Sequence, residues 1–352
     1  MSTGYVANLT SVYYGPDIVN YPSGNSSVGP NETVDILWRE GSWYYIEYQA
    51  GIYRKRMYIR AISVTNITGS YSMYTPTKVT RFVGRGASTY NGPGSTAYAS
   101  AGSVDDYEQV SLFPDKIENG YALIEYNVSG GQKKRAWFPA GHLGVKKGVD
   151  TIEPINSQSL ANAIKNSGYS FVGRYYTKRQ GFKLNATELE YLSNAGLAVF
   201  PYYQDGESGS VSYFTASEGA EDAETAYSQA LSLGQPEGTY IYFAVDFDAT
   251  NEEISGPIRN YFVAVINKMN ELSSINNKRY LVGVYGGTRV CENLNLTGVT
   301  SRVMAGAWNY NPSYGGWDNC QFASNGLYET TISGRNFDVV VSKLQNAGGW
   351  MP

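Results

Sequence analysis

Two stretches of this chain are versions of one another. "GSWYYIEYQAGIYRKRMYIRA" (41–61) and "NGYALIEYNVSGGQKKRAWFPA" (119–140) share Ile-Glu-Tyr at 46–48 and 124–126, each followed by a basic pair, Lys55-Arg56 in one and Lys134-Arg135 in the other. Upstream, Gly15-Pro16 answers Gly92-Pro93, so the offset stays close to 78 residues. A segment repeated at so short an interval has to fold twice into a small unit. In both copies aromatic and β-branched residues alternate with period two and are broken by Gly, Pro and Asn, the pattern of short antiparallel strands. Two small all-β domains are expected, over residues 1–67 and 75–144.

From Lys146 onward the pattern changes to strand, helix, strand, helix. "KKGVD" (146–150) leads into "SQSLANAIKNSGY", whose Leu160, Ala163 and Ile164 fall on one helical face. "SFVGRYY" (170–176) precedes "NATELEYLSNAG", with Asn185 in capping position and Gly196 as its stop. "LAVFPYYQ" (197–204) precedes a helix ending at Gly234, and "YIYFAVDFD" (240–248) precedes one carrying Ile258, Phe262, Val265 and Met269. "YLVGVYGG" (280–287), "VMAGAWN" (303–309), "NCQFA" (319–323) and "NFDVVV" (336–341) bring the strands to eight. Alternation of this kind implies a parallel sheet, and eight strands imply a (β/α)8 TIM-type barrel over 146–352.

Composition narrows the chemistry. The chain has one histidine, His142, and two cysteines, Cys291 and Cys320, so a zinc cluster or other metal site is not expected, nor is a cofactor. Serine and cysteine hydrolases lose their usual histidine base. Hydrolysis by this chain has to run on carboxylates. The cysteines read as buried thiols, with a disulfide as the alternative, and His142, in "PAGHLG", reads as packing at the joint between the two parts. Residues 1–147 carry 14 Lys and Arg against 11 Asp and Glu, a mild excess that suits an anionic bacterial wall but is too small and dispersed for nucleic acid. No run approaches the ~20 apolar residues of a membrane span, and "MSTGYVANLT" lacks a signal peptide's charged and apolar segments. Either export is signal-independent, as in release by lysis, or a leader has been removed.

A barrel of this type carries its reactive groups at the carboxyl ends of its strands. Those ends here are Asp150, Tyr176, Tyr203 with Gln204, Asp246 with Asp248, Tyr285, Trp308, Gln321 and Asp338. In an extended strand residues i and i+2 face the same side, which would turn Asp246 and Asp248 together into the cleft. Two carboxyls so close cannot both ionise freely, leaving a proton donor beside an anion. Glycosidic cleavage needs such a pair: an acid for the leaving oxygen, and a carboxylate to stabilise or attack the oxocarbenium ion. The alternative is a structural pair capping neighbouring loops. Asp150 and Asp338 lie on strands that would be neighbours after closure, and they either orient substrate or stitch the seam. Tyr285 and Trp308 form a sugar platform or pack inside the barrel. Asp205 and Glu207, just past the third strand, are spare acids.

Residues 146–350 resemble the glycoside-hydrolase-like domain of unknown function found in actinobacterial and firmicute wall-associated proteins. The motifs are "GVDT" (148–151), "GYSFVGRYY" (168–176), "AGLAVFPYYQ" (195–204), "YIYFAVDFD" and "VGVYGG" (282–287). That group is similar to the glycoside hydrolase family 25 muramidases, which carry Asp on the first strand, D-x-E on the fourth, then Tyr, Trp, Gln and a last Asp. Asp150, Asp246-Phe247-Asp248, Tyr285, Trp308, Gln321 and Asp338 occupy those places. The resemblance implies Asp248 as general acid and Asp246 as stabilising carboxylate; Asp150, Asp338, Tyr285, Trp308 and Gln321 are expected around the substrate, joined by Tyr203 and Gln204 as residues at the end of the third strand. Asp248 stands where the muramidases have Glu, and an ångström of retraction costs ~100-fold in a tight site. Each amino-terminal copy resembles the bacterial SH3-like domain, through Gly41-Ser42-Trp43-Tyr44-Tyr45-Ile46 and the weaker Gly120-Tyr121-Ala122-Leu123-Ile124, a family that often binds wall peptide or glycan.

The expected protein is thus a lysozyme-like, endolysin-type peptidoglycan hydrolase, held on the bacterial wall by its repeats and acting outside the cell or after lysis. The alternatives are a non-catalytic wall-binding protein with a vestigial sugar cleft and a glycosidase for another bacterial polysaccharide. Cleaved linkage, target species and oligomeric state are not specified by the sequence.

Overall fold

The structure is a computed structural model that describes residues 2–352 except 207, 309, 310, 312 and 322–328. The chain divides into two compact units, Met1–Leu143 and Gly144–Pro352. Among the described residues, no helix is long and apolar enough to cross a membrane.

The first unit contains the duplication. One sheet runs in the order Ser23–Val28, Thr10–Tyr13, Tyr53–Arg60, Trp43–Ala50, Thr33–Glu40, Ser2–Val6, Val64–Thr68. The other runs Ser100–Val104, Ala87–Tyr90, Lys133–Pro139, Tyr121–Asn127, Gln109–Glu118, Val79–Val83, Leu143–Gly144, the same order strand for strand. Among the described residues the end strands of each sheet do not pair with one another, so these are open sheets, antiparallel along those orders, and not the closed SH3-like barrels that the sequence suggested; in the first, Ser72–Met73 adds a short parallel pairing to Thr33–Glu40.

The repeated charges serve the joint between the two copies. Glu47, 5% exposed, accepts from Arg56 Nε (2.6 Å) and from Tyr98 Oη of the second copy (2.6 Å). Glu125, 4% exposed, accepts from Arg135 Nε (2.9 Å) and from Tyr21 Oη of the first copy (2.5 Å). Arg56 continues to Glu118, and Arg135 to Glu40, each at 2.7 Å. The arrangement is reciprocal in these four pairs, Glu47 with Glu125, Arg56 with Arg135, Tyr98 with Tyr21 and Glu118 with Glu40, while Lys78 adds a bond to Glu125 alone of the two buried glutamates. Between the clusters lie Trp38, Trp43, Tyr45, Tyr58, Phe113, Leu123 and Trp137. Burial works to raise the Glu125 carboxyl, but hydrogen bonds from Lys78, Tyr21 and Arg135 bring it down to about 2. His142 is buried, with Nδ1 at 3.2 Å from the Arg85 carbonyl.

The second unit is a closed eight-stranded barrel: β1 Lys146–Asp150, β2 Phe171–Tyr176, β3 Ala198–Tyr203, β4 Tyr240–Val245, β5 Leu281–Gly286, β6 Val299–Ala305, β7 Asn319–Gln321 and β8 Arg335–Ser342. Strands β1 to β7 run parallel, while β8 is antiparallel to both β7 and β1 and closes the circle between them. Helices follow only the first five strands among the described residues: α1 Gln158–Asn166, α2 Ala186–Asn194, α3 Ala216–Ser232, α4 Arg259–Asn276 and α5 Thr288–Asn293.

The expected (β/α)8 TIM-type barrel is therefore corrected on two counts: the last strand is reversed, and the later connections described carry no helix. The reversal has a local cause. Ser333 (φ +51°) and Gly334 (φ +77°) both take positive φ, as a two-residue turn matched to strand twist requires, and fold β8 back on Glu329–Ile332 as a hairpin.

Where helices were expected, their signals hold. The Asn185 side chain accepts from Glu188 N at 3.0 Å, and Gly196 beyond α2 has φ +66°. Inside the barrel Phe171, Phe200, Tyr202, Tyr242, Val303 and Val340 form the core. Room for those rings comes from glycines: a Cβ at Gly283 would lie 2.3 Å from Tyr242 Cδ1. Cys291 and Cys320 are buried and are not joined in a disulfide.

Candidate active site

Strand register decides which polar residues reach the barrel mouth. Tyr175 of β2 pairs with Tyr202 of β3, and Tyr176 with Tyr203. Because side chains alternate, the first pair shares the interior with Phe200, while the second faces the helices. Tyr176 Oη donates to Gln235 Oε1 (2.8 Å), and the Tyr203 ring lies 5.6 Å from Phe243 with its phenol in the field of Asp222 on α3. Tyr203, expected at the substrate, is thus in the layer between strand and helix. Tyr202, one residue earlier, takes the mouth position.

Three carboxylates gather there. Asp150 ends β1, is 2% exposed and accepts from Tyr202 Oη at 3.1 Å. Asp338 is its register partner across the antiparallel β1–β8 pair and accepts from Gln321 Nε2 at 3.0 Å. The reversal of β8 is what carries Asp338, early in its strand, to the same end as Asp150. Asp246, just past β4, accepts from Gln204 Nε2 at 3.0 Å. Tyr175 and Tyr285 lie in the field of all three acids, and the Tyr285 ring is 5.1 Å from that of Tyr202. A Cβ at Gly173 would come within 2.6 Å of Asp150 Cβ and 2.9 Å of the Tyr202 ring, so this position has to be bare.

None of the three acids forms an ion pair among the described residues. Burial, then the charge of Asp338, holds the Asp150 carboxyl well above its ordinary range. Burial and then Glu329 push Asp338 up to about 6, against the pull of Gln321. Burial also raises Asp246, against the pull of Gln204. Each acid thus keeps a neutral donor, tyrosine or glutamine, and no ion-pair partner among the described residues, although the charge of Arg174 works to lower Asp150. The nearby guanidinium of Arg174 is fully buried and already committed to Glu188 and to the carbonyls of Thr151, Ile152 and Phe182.

Asp248 does not join this group, which corrects the expectation that it shares a hollow with Asp246. β4 ends at Val245, so strand alternation no longer governs these residues. The Asp248 side chain is 59% exposed, and Oδ1 lies 3.4 Å from Arg289 Nη1. Arg289 also donates to the Ala249 carbonyl at 2.9 Å. Trp308 is half-buried, and its carbonyl accepts from Thr288 N at 3.2 Å beside Gly287. Asp205 accepts from Thr177 Oγ1 at 3.0 Å, and Glu207 lies outside the described residues. Tyr175, Tyr202 and Gly173 were not singled out in the sequence. The signal was present in "FVGRYY" and "AVFPYY", whose alternate positions line up once the two strands are set in register.

The profile of the Rv2525c-like, glycoside hydrolase-like domain matches residues 162–338, just over half of the chain. The uncharacterized protein YbfG of Bacillus subtilis is 34% identical over 210 residues, which cover 55% of this chain and 28% of YbfG. This chain therefore spans under a third of that relative's length. Among solved structures, the Tat-secreted protein Rv2525c of Mycobacterium tuberculosis aligns with 20% identity and a TM-score of 0.46, over 58% of this chain and 98% of the other. A family 25 glycosyl hydrolase from Bacillus anthracis aligns with 13% identity and a TM-score of 0.36, over 56% and 89%.

Proposed function

We propose, from the premise that this chain belongs to the Rv2525c-like, glycoside hydrolase-like family, that its barrel hydrolyses a glycan of the bacterial cell wall and that its duplicated unit attaches to that wall. The observation that carries the reading is the gathering of Asp150, Asp246 and Asp338 beside tyrosines and glutamines, with no ion pair to any of them among the described residues. Buried acids kept for stability are paired with cations or saturated with hydrogen bonds. Acids kept for chemistry have their proton affinities raised and spread.

Asp338, lifted to about 6, is the proton donor in this reading. Its proton passes to the glycosidic oxygen as the bond to the anomeric carbon breaks, and Asp246 as the anion stabilises the oxocarbenium ion. Water then adds its oxygen to the anomeric carbon and returns a proton to the carboxylate. Asp150, whose own proton affinity is raised by burial and by Asp338 across the seam, holds that side of the site, Tyr175, Tyr202 and Tyr285 supply a sugar-facing wall, and Asp248 acts from the rim. Peptidoglycan is the substrate proposed.

A second reading, a wall-binding protein that holds the sugar without turnover, is favoured by the exposure of Asp248 at the place where the family 25 pattern has its Glu. Release of new reducing ends from purified walls separates the two. Parent protein that releases them, with loss in Asp338→Asn and Asp246→Asn variants that still bind walls, supports hydrolysis. Binding without release by the parent supports the second reading.

A further inference from the structure

Strand pairing stops one residue short of Asp246, at Val245, so the sheet ladder does not hold it. Its placement comes from the segment "SGSVSYF" (208–214), between β3 and α3. Asp246 N donates to the Ser208 carbonyl at 3.1 Å, and the ring of the next residue, Phe247, lies 5.8 Å from that of Phe214. Apart from Val211, the residues of the segment before Tyr213 are serine and glycine, which bury little apolar surface. The segment therefore depends on its aromatic end to stay in place.

That end is tied down at Asp222, a fully buried carboxylate on α3. Tyr213 Oη donates to Asp222 Oδ2 at 2.5 Å, and Tyr261 Oη of α4 donates to the same oxygen at 2.7 Å. The two helices come this close because Gly219, one turn earlier on α3, is bare: a Cβ there would lie 2.4 Å from the Tyr261 carbonyl oxygen. Phe214 completes the contact, with its ring 5.1 Å from that of Tyr261. On the other side, Asp222 Oδ1 faces Lys178 Nζ at 3.9 Å, and the Tyr203 phenol lies in the field of the carboxylate. A helix pair that needed only to pack could use apolar side chains, without the cost of desolvating a carboxylate. A charged acceptor holds phenols more firmly than a neutral one, and one of these two phenols belongs to the segment that bonds Asp246.

We propose that Asp222 is a positioning residue for Asp246: it fixes Tyr213, and the segment so anchored holds Asp246 and Phe247 through the Ser208 carbonyl and the Phe214 ring. Asp222 does not touch substrate in this role. It acts through a chain of contacts from α3 to the barrel mouth, which restricts how far the Asp246 carboxylate can shift and how much water reaches it. The proposal deepens the hydrolytic reading and rests on its assignment of Asp246 as the stabilising carboxylate, but the placement of Asp246 can be measured without turnover.

The test is an NMR titration of the Asp246 carboxyl in the full chain, with the release of reducing ends from purified walls measured alongside. Because burial is what raises Asp246, a loosened segment that admits water brings its midpoint down toward the ordinary ~3.9. Tyr213→Phe, which keeps the ring and loses only the bond to Asp222, is expected to do this and to slow release by about 10-fold. Asp222→Ala lowers the midpoint further, and Asp222→Asn, which keeps a carbonyl oxygen for both phenols, returns it to the parent value. Tyr227→Phe is the control: it removes another buried phenol of α3, bonded to the Lys278 carbonyl at 2.6 Å, and leaves Asp246 unmoved. Parent-like midpoints in both Tyr213→Phe and Asp222→Ala overturn the role, as does an equal fall in Tyr227→Phe. A parent that releases no reducing ends overturns the hydrolytic reading alone, and a lowered midpoint in Tyr213→Phe still upholds the positioning of Asp246 by Asp222.

Discussion

Buried carboxylates occur in both units of this chain and are treated in opposite ways. In the duplicated unit Glu47 is paired with Arg54 and Arg56, and Glu125 with Arg135 and Lys78. In the barrel mouth Asp150, Asp246 and Asp338 are given tyrosine and glutamine but no ion pair among the described residues. Desolvation opposes ionisation in both places. It is overcome for Glu125, which drops to about 2, and left to act on Asp338, which rises to about 6. The contrast teaches which acids hold the molecule together and which are kept ready to exchange a proton.

The largest effect should come from breaking a stabilising cluster. Arg135→Met takes the arginine from both Glu125 and Glu40, leaving Glu125 with Lys78 and Tyr21, and is expected to destabilise the first unit by about 3 kcal/mol, read from the denaturant midpoint of the full chain. Catalysis comes next. Asp338→Asn and Asp246→Asn are each expected to lower the release of reducing ends by ~100-fold or more, with Gly173→Ala close behind because its methyl group collides with Asp150 and the Tyr202 ring.

Opposite pH dependences follow from the same contrast. Glu125 has a folded pKa below the unfolded value, so its contribution is complete above ~4.3 and is lost as pH falls toward about 2. Asp338 has a raised one, so the folded barrel holds the extra proton, and its stability declines as pH rises from ~3.9 through about 6. Asp338→Asn should therefore stabilise the barrel at pH 7.5 by about 1–2 kcal/mol, after allowance for partial solvent access, and leave it unchanged near pH 4. Hydrolysis should fall above pH 6 as the donor ionises. The smallest effects are expected at Asp248→Asn and Tyr203→Phe, under ~10-fold, because one carboxyl is at the rim and the other ring faces a helix.

The sequence revealed what depends on period and on short-range signals. Duplication, the first five strand-helix pairs, the caps at Asn185 and Gly196, and the concentration of acids at strand ends could all be read from neighbouring residues. What was hidden depends on register and direction. A shift of one residue moves Tyr202 inward and Tyr203 outward, and no local pattern fixes it. The Ser333-Gly334 turn reverses β8, yet without the hairpin in view "NFDVVV" reads like any parallel strand. Extending β4 by three residues gave Asp248 a partner it does not have, because the strand stops at Val245. In the duplicated unit Ile-Glu-Tyr and the basic pair were visible twice, but only the pairing of the copies shows that each arginine serves a glutamate of both.

Carbon-13 titration of side-chain carboxyls in the full chain tests the contrast most directly. The account predicts Asp338 titrating near about 6 and Glu125 near about 2 in the same sample. An Asp338 carboxyl that titrates at the ordinary ~3.9 of an exposed aspartate would contradict it.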